Sequence, residues 1–245
     1  MDQLNISRRD ALAGVGAIGA ATVAGFGIGS RDGLVYTASA QTESNGILLD
    51  VDWRETYNGQ VLEDTRSAEW TADGPAISLG DVLPGDTGTF SFRIGVADSE
   101  DGPVEPEFSF DLTATPENGI NEPEQKAGDD TENDGELQDV VQARFWRDDG
   151  LFATLDPLGG DNAEREPTEP LIPEGTEGTL GEVATAFETE GPISFDCIEG
   201  DETITVSFGW EFPADLDESN INRAQGDGVS FDLPINAQQC AGGGS

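Results

Sequence analysis

The sequence predicts an all-β protein, an antiparallel sandwich, and three observations support this fold class. Apolar residues recur at every second position in five segments, as expected for strands with one buried face and one wet face. Tight turns are predicted before two of these segments, at Leu83-Pro84-Gly85-Asp86 and at 225–228. The strand–helix alternation typical of a parallel sheet is missing. The five segments are 47–53, 90–96, 108–114, 204–212 and 229–235.

One short helix is predicted at 179–187. Thr179 is a suitable N-terminal cap, and Glu182 follows it three residues later, the spacing of a capping box. Gly191-Pro192 ends the helical pattern. The apolar face of the predicted helix consists of Leu180, Val183, Ala184 and Phe187.

Two polar stretches interrupt the strand pattern, at about 116–136 and about 156–178. Both combine acidic residues with Gly and Pro, so they are predicted to be long acidic loops inserted in the sandwich. The predicted domain therefore covers 41–240 with these two insertions, and 241–245 form a flexible tail.

Residues 1–40 have the features of an export signal. Arg8 and Arg9 precede a weakly apolar run at 11–29, which predicts a twin-arginine signal for a protein that folds before translocation. The run is long enough to be a membrane anchor, but six of its 19 residues are Gly, which favours a cleaved signal. Ala38-Ser39-Ala40 fits the small-x-small cleavage rule, and a cut near Gly29-Ser30 is the alternative.

The charge balance is strongly acidic. The 245 residues include 50 acids and 11 bases, which gives a net charge of −39, and cleavage after residue 40 leaves that charge unchanged. Self-repulsion opposes compaction in dilute buffer, whereas molar salt shortens the screening length to about 3 Å. Four Trp and 12 Phe favour a folded, salt-adapted protein over a disordered acidic chain. The sign of the charge excludes nucleic acid as a partner.

Cysteine and histidine usage limits the chemistry. Cys197 and Cys240 form an even pair in an exported chain, which predicts one disulfide, with a stabilisation of roughly 4 kcal/mol from loop closure. The chain contains no histidine, so histidine-dependent catalysis and His-Cys zinc sites are excluded. Paired carboxylates could serve a glycosidase, but acids are too abundant for any pair to be informative. The sequence predicts no catalytic residue and no enzyme.

A calcium loop is the one metal motif in the sequence. Asp130, Glu132 and Asp134 occupy loop positions one, three and five, and Gly135 occupies position six. Position twelve is Val141 instead of the usual Glu. A solvated acidic loop is the favoured interpretation, so no cofactor is predicted and calcium is the open alternative.

Several motifs together resemble the TasA/camelysin family of exported matrix proteins, and its salt-loving archaeal members most closely. The resemblance covers roughly 46–240, and the usual aromatic-Ser-Asp motif after the signal is replaced by 33–38. The motifs are Gly46-Ile47-Leu48-Leu49-Asp50-Val51-Asp52-Trp53, Ile77-Ser78-Leu79-Gly80-Asp81-Val82-Leu83-Pro84-Gly85-Asp86, Glu117-Asn118-Gly119, Pro123-Glu124 and Gly226-Asp227-Gly228-Val229-Ser230-Phe231-Asp232-Leu233, with Cys240 after the last.

This resemblance implies a jelly-roll domain that assembles into extracellular filaments, or pili, of a biofilm matrix. Subunits of that family are linked by donor-strand complementation, in which the N-terminal strand of one subunit completes the sheet of the next. The protease label of camelysin is not carried over, because the chain has no histidine to hold a metal. If the signal is cut near residue 29, the candidate donor strand lies within 30–44. Its core is formed by Leu34, Val35, Tyr36, Thr37 and Ala38.

Three functional hypotheses follow. The first is an extracellular, self-assembling structural subunit that meets the membrane only during export. The second is a monomeric cell-surface module that binds calcium or glycans, and the third is a carboxylate-type enzyme.

Overall fold

The computed structural model describes residues 38–61, 69–71, 74–97, 102–148, 169–173, 177–200 and 202–240. Strands outnumber helices among these residues, and the strand pairings are antiparallel, as predicted. The strands are β1 Ala38–Ser44, β2 Ile47–Tyr57, β3 Gln60–Val61, β4 Glu69–Thr71, β5 Gly74–Gly80, β6 Thr87–Val96, β7 Val104–Phe108, β8 Asp111–Ala114, β9 Gln142–Arg147, β10 Glu177–Thr179, β11 Ile193–Ser194, β12 Thr203–Glu211, β13 Gly228–Asp232 and β14 Ile235–Gln239. The helices are α1 Glu122–Ala127, α2 Leu137–Val140, α3 Leu180–Glu190 and α4 Glu218–Arg223.

The strands form three sheets. A seven-stranded sheet has the order β1-β2-β6-β12-β9-β10, with β3 paired to β2. The second sheet has the order β4-β5-β13-β8 and the third β11-β7-β14. Aromatic rings make contact between the layers. The ring centroids of Phe92 in β6 and Phe108 in β7 are 6.2 Å apart, and those of Phe208 in β12 and Phe231 in β13 are 5.2 Å apart. The core therefore lies between the large sheet and the two smaller ones.

Two of the five predicted strands are each broken in the structure. The segment 229–235 divides into β13 and β14 at Pro234, which has no N–H to donate to a strand ladder. Its neighbour 108–114 divides into β7 and β8 at the same level, where the Ser109 N–H donates to the Pro234 carbonyl (3.0 Å). These breaks separate the second sheet from the third.

The central strand β12 departs from the prediction of one wet face. Its polar residues Thr205 and Ser207 are buried, as are its apolar ones. The Ser207 hydroxyl lies 2.7 Å from the buried Asp148 Oδ2, and the ring of Trp146 covers Gly209, where an added Cβ would lie 3.0 Å from the ring. The prediction was wrong because period-two alternation does not show what covers the second face of a sheet.

The predicted helix is confirmed as α3. Thr179 Oγ1 accepts from the Glu182 N–H (3.2 Å), and Glu182 Oε2 accepts from the Thr179 N–H (2.9 Å), which completes the capping box. The prediction of a single helix is wrong, since α1, α2 and α4 also form. These three have four to six residues each, too few for an apolar stripe to be visible in the sequence.

The disulfide between Cys197 and Cys240 is present and confirms the predicted pairing. It joins the segment after β11 to the end of β14, on either side of β7. The Cys240 N–H donates to the Pro103 carbonyl (3.0 Å), and Ile198 exchanges two backbone hydrogen bonds with Val104. The disulfide therefore links the two strands that flank β7.

Candidate functional site

Five acidic residues are buried together where the first insertion meets the start of β13. They come from separate segments: the loop after β8, helix α1, the turn after α1, the residue before α2, and the turn before β13. Such burial is unusual for carboxylates, which are rarely enclosed without a partner. We call this group the acidic cluster. It consists of Glu117 (5% exposed), Glu124 (0%), Asp129 (6%), Glu136 (9%) and Asp227 (2%).

Helix α1 positions two members of the acidic cluster. Asn121 caps the helix, and Glu124 completes a capping box in which its Oε2 accepts from the Asn121 N–H. Gly128 ends the helix in the left-handed conformation, at φ 87°. Asp129 follows directly, and its Oδ1 accepts from the Thr131 N–H (3.0 Å). Ordinary helix-capping chemistry thus places both carboxylates.

The turn before β13 is tied to the insertion by side-chain amides. Asn118 Nδ2 donates to the Gly226 carbonyl (2.9 Å), and Asn121 Nδ2 donates to the Gln225 carbonyl (2.7 Å). Asp227 Oδ2 in turn accepts from the Glu136 N–H (2.6 Å). These contacts fix the carboxylate of Asp227 inside the acidic cluster, although it lies some ninety residues from the insertion in sequence.

Gly135 makes room for Asp227. A Cβ added at Gly135 would lie 2.8 Å from Cγ of Asp227, closer than side chains tolerate. The glycine that the sequence suggested as position six of a calcium loop therefore has a different role. It lets the backbone of the insertion pass beside the buried carboxylate.

The hydrogen bonds follow one pattern across the acidic cluster. Four of the acids use one oxygen to accept from a protein donor and leave the second without a hydrogen-bond partner. Neither oxygen of Glu117 accepts from a donor group of the protein, and the side chain that it faces is the carboxylate of Asp227. Six carboxylate oxygens are therefore buried and unsatisfied: Glu117 Oε1 and Oε2, Glu124 Oε1, Asp129 Oδ2, Glu136 Oε2 and Asp227 Oδ1.

The acids converge in two groups that share Glu117. One carboxylate oxygen from each of Glu117, Glu124 and Asp227 lies within 4.8 Å of the others. The same holds for Glu117, Asp129 and Glu136. One nearby cation offsets this charge, because Arg223 Nη2 lies 3.4 Å from Glu136 Oε1. Five carboxylates and one guanidinium leave the acidic cluster with a charge of −4 when all are ionised.

The pKa values reflect this crowding. Burial, followed by the Asp227 carboxylate, raises the pKa of Glu117 to about 7. Burial is also the largest cause that raises the pKa values of Glu124, Glu136 and Asp227. Asp129 is the exception, because hydrogen bonds from Thr131 lower its pKa. Burial therefore disfavours the charged forms of Glu117, Glu124, Glu136 and Asp227.

The three predicted calcium ligands lie outside this site. Asp130, Glu132 and Asp134 are exposed, and they do not converge within the groups described above. Asp134 Oδ1 instead accepts from the Thr115 hydroxyl (2.5 Å). Their neighbours Asp129 and Glu136 point inward. Asp129 and Glu136 thus flank the stretch 130–135 of the calcium-loop pattern, while its own three acids are not brought together.

Sequence reasoning missed Glu117, Glu124 and Asp227. All three lie within the motifs that carry the family resemblance, in Glu117-Asn118-Gly119, Pro123-Glu124 and Gly226-Asp227-Gly228. An acid between two glycines, directly before an apolar strand, was the available signal for a carboxylate held in a buried turn. Their convergence depends on tertiary contacts and is not visible from spacing.

The N-terminal strand β1 is the other candidate feature. Its partner is β2, with Ala38 opposite Trp53 and Ser44 opposite Ile47 across a turn at Asn45-Gly46. No strand pairs with its outer side within the described part of the chain. Of the candidate donor strand, Ala38 is the first residue of β1, whereas residues 34–37 lie outside the described ranges, as do Arg8 and Arg9.

Comparisons with protein-family models, with curated proteins and with solved structures find no match. In the described residues, no helix has the length and apolar character needed to span a membrane.

Proposed function

We propose that this protein is an exported structural subunit that assembles into extracellular filaments by strand addition. The observation that carries the proposal is the edge of the seven-stranded sheet at β1, whose outer side has no strand partner among the described residues. This edge is seven residues long, with the sequence ASAQTES, and Glu43 is its one charged residue. Natural edge strands are normally protected by Lys, Pro or bulges, and β1 has no Lys or Pro. An edge of this kind suits pairing with a second chain.

The composition of β1 also supports exchange of strands between subunits. Among its described side chains, Ala40 is the buried apolar one, so β1 adds little apolar area to the core. Residues 34–36, Leu-Val-Tyr, are larger and more apolar. A donated segment that contains them would bury more apolar area on a neighbouring sheet than β1 does on its own. The antiparallel sheets and the family resemblance favour a jelly-roll domain for this role.

The pairing of β1 bears on the cleavage site. Ala38-Ser39-Ala40 forms the first three residues of β1, and Ala40 lies opposite Val51. A cut after Ala40 would remove part of a paired strand. The proposal therefore uses the alternative cut near Gly29-Ser30, which leaves the mature chain with both β1 and the donor segment.

The proposed setting is a salt-rich extracellular matrix. A net charge of −39 is tolerable where molar salt screens the repulsion, and the Cys197–Cys240 disulfide suits an oxidising compartment. High acidity also keeps subunits soluble until specific strand pairing occurs.

Electron microscopy in molar salt tests this function. The chain from residue 30 onward is expected to form filaments, and a chain that begins at residue 38 is expected to remain monomeric. A matched control replaces Thr37 with Ser, which should leave assembly unchanged. Monomers alone at high concentration, with residues 30–37 present, would contradict the proposal and favour the monomeric surface module.

A further inference from the structure

We propose that the acidic cluster is a calcium-binding site with Glu117 at its centre. The proposal does not depend on filament assembly. Its basis is that Glu117, Glu124 and Asp227 are almost fully buried and that each leaves at least one oxygen without a protein hydrogen-bond donor. One carboxylate oxygen of each of the three residues lies within 4.8 Å of the others. A buried carboxylate oxygen without a donor requires either a proton or a cation.

The arrangement of hydrogen bonds favours a metal over a chance accumulation of acids. In Glu124, Asp129, Glu136 and Asp227, a protein donor fixes one oxygen and leaves the other free. Hydrogen bonds of this kind orient metal-ligating carboxylates and hold them ready for the ion. Acids accumulated only for solubility would face solvent, as Asp130 does.

The chemistry of the donor set selects calcium. The unsatisfied atoms are all carboxylate oxygens, the hard ligands that Ca²⁺ takes at about 2.3–2.6 Å. Two oxygens on one such ion lie at most about 5 Å apart, so the three residues of each group are close enough to share one ion. Mg²⁺ retains several waters and suits a dry cage poorly. Zn²⁺ prefers nitrogen and sulfur ligands, which are absent from the acidic cluster.

Calcium at this position would link parts of the chain that are distant in sequence. Glu117, Glu124, Asp129 and Glu136 belong to the first insertion, whereas Asp227 lies directly before β13. Each bound ion removes two of the four net negative charges, so it relieves the repulsion that otherwise pushes the insertion away from the sheet. The ion would hold the insertion against the core.

Calorimetric titration of the calcium-stripped full chain with CaCl₂ in molar NaCl tests the site. The wild type is expected to bind at least one Ca²⁺ per chain, with much weaker binding of MgCl₂. Glu117→Gln should reduce calcium affinity by at least about tenfold. Mutation of residues that only hydrogen-bond to metal ligands already lowers affinity by about that factor, and Glu117 would itself be a ligand. The matched control changes the exposed acids of the same segment, as Asp130→Asn, Glu132→Gln and Asp134→Asn together, and should bind calcium as the wild type does.

Melting temperatures distinguish the loss of a calcium ligand in Glu117→Gln from a general loss of folding. In calcium-free buffer, Glu117→Gln should melt at or above the wild-type temperature, because it removes a buried negative charge. With millimolar CaCl₂, the order should reverse. No binding of calcium by the wild type would overturn the proposal. So would loss of binding in the triple variant with retention in Glu117→Gln.

Discussion

The first insertion contains two sets of acidic residues, one exposed to solvent and one buried. Asp130, Glu132 and Asp134 face solvent, whereas Asp129 and Glu136, at the ends of the same short stretch, are buried with Glu117 and its partners. The exposed acids repel one another through water and salt, where the interaction is weak. The buried acids interact across a dry interior, where an unpaired charge costs far more. Stability should therefore respond to calcium and pH through the buried set and to bulk salt through the exposed set.

Removal of calcium should give the largest effect. If the acidic cluster binds Ca²⁺, free calcium at about 100 times the dissociation constant stabilises the fold by about 2.7 kcal/mol. For a chain of this size, chelation should then lower Tm by about 5–11 °C. Scanning calorimetry with and without EGTA, at constant molar NaCl, measures this difference. An unchanged Tm would show that calcium does not stabilise the fold through the buried acids.

Gly135→Ala should give the next largest effect. The new Cβ would press on Asp227, so we expect a loss of about 1–3 kcal/mol and a smaller calcium-dependent shift in Tm. Gly80→Ala in β5 is the matched control, because a Cβ there meets nothing within 4 Å. Chemical denaturation of both variants, with and without calcium, makes the comparison. Equal calcium shifts in the two variants would show that Asp227 is not a ligand.

A pH titration of the metal-free protein should show a moderate effect with a defined sign. Glu117 has a pKa of about 7 in the folded chain, above its ordinary value of 4.5. Since the folded-state pKa is the higher one, stability should be greatest below about pH 4.5 with respect to this group and fall as pH rises towards 7. Tm measured from pH 5 to pH 8 should decrease by a few degrees in the wild type and less in Glu117→Gln. An increase across this range would contradict the burial of unpaired carboxylates.

Neutralising the exposed acids should give the smallest effect. The triple variant of Asp130, Glu132 and Asp134 should change stability by no more than about 0.5 kcal/mol in molar salt. In dilute salt it should be slightly more stable than the wild type, because the repulsion among the exposed acids of the wild type is then only weakly screened. Denaturation curves at two salt concentrations measure this. Loss of the calcium-dependent shift in Tm in this variant would assign the metal to the exposed loop.

Local patterns in the sequence predicted much of the fold. Period-two alternation located β2, β6 and β12, and a capping box located α3. A capping box also stands at Asn121 and Glu124, but α1 has only six residues and no apolar stripe, so the sequence there was interpreted as a loop. The prediction of one continuous strand at 229–235 overlooked that Pro234 cannot donate to a ladder.

The acidic cluster was beyond sequence reasoning for a different reason. In a chain with 50 acids, residue type cannot distinguish a ligand from a solvated side chain. Burial decides, and the burial of Asp227 depends on amide contacts from Asn118 and Asn121 across a hundred residues of chain. The second insertion, at about 156–178, lies mostly outside the described residues, and the prediction of a long acidic loop there stays a prediction.

A crystal structure of the calcium-loaded protein tests the central claim most directly. Anomalous scattering should show a calcium peak about 2.3–2.6 Å from carboxylate oxygens of Glu117 and Asp227. Asp130, Glu132 and Asp134 should show none. A peak over those exposed acids, or no peak in the acidic cluster at millimolar calcium, would contradict the account.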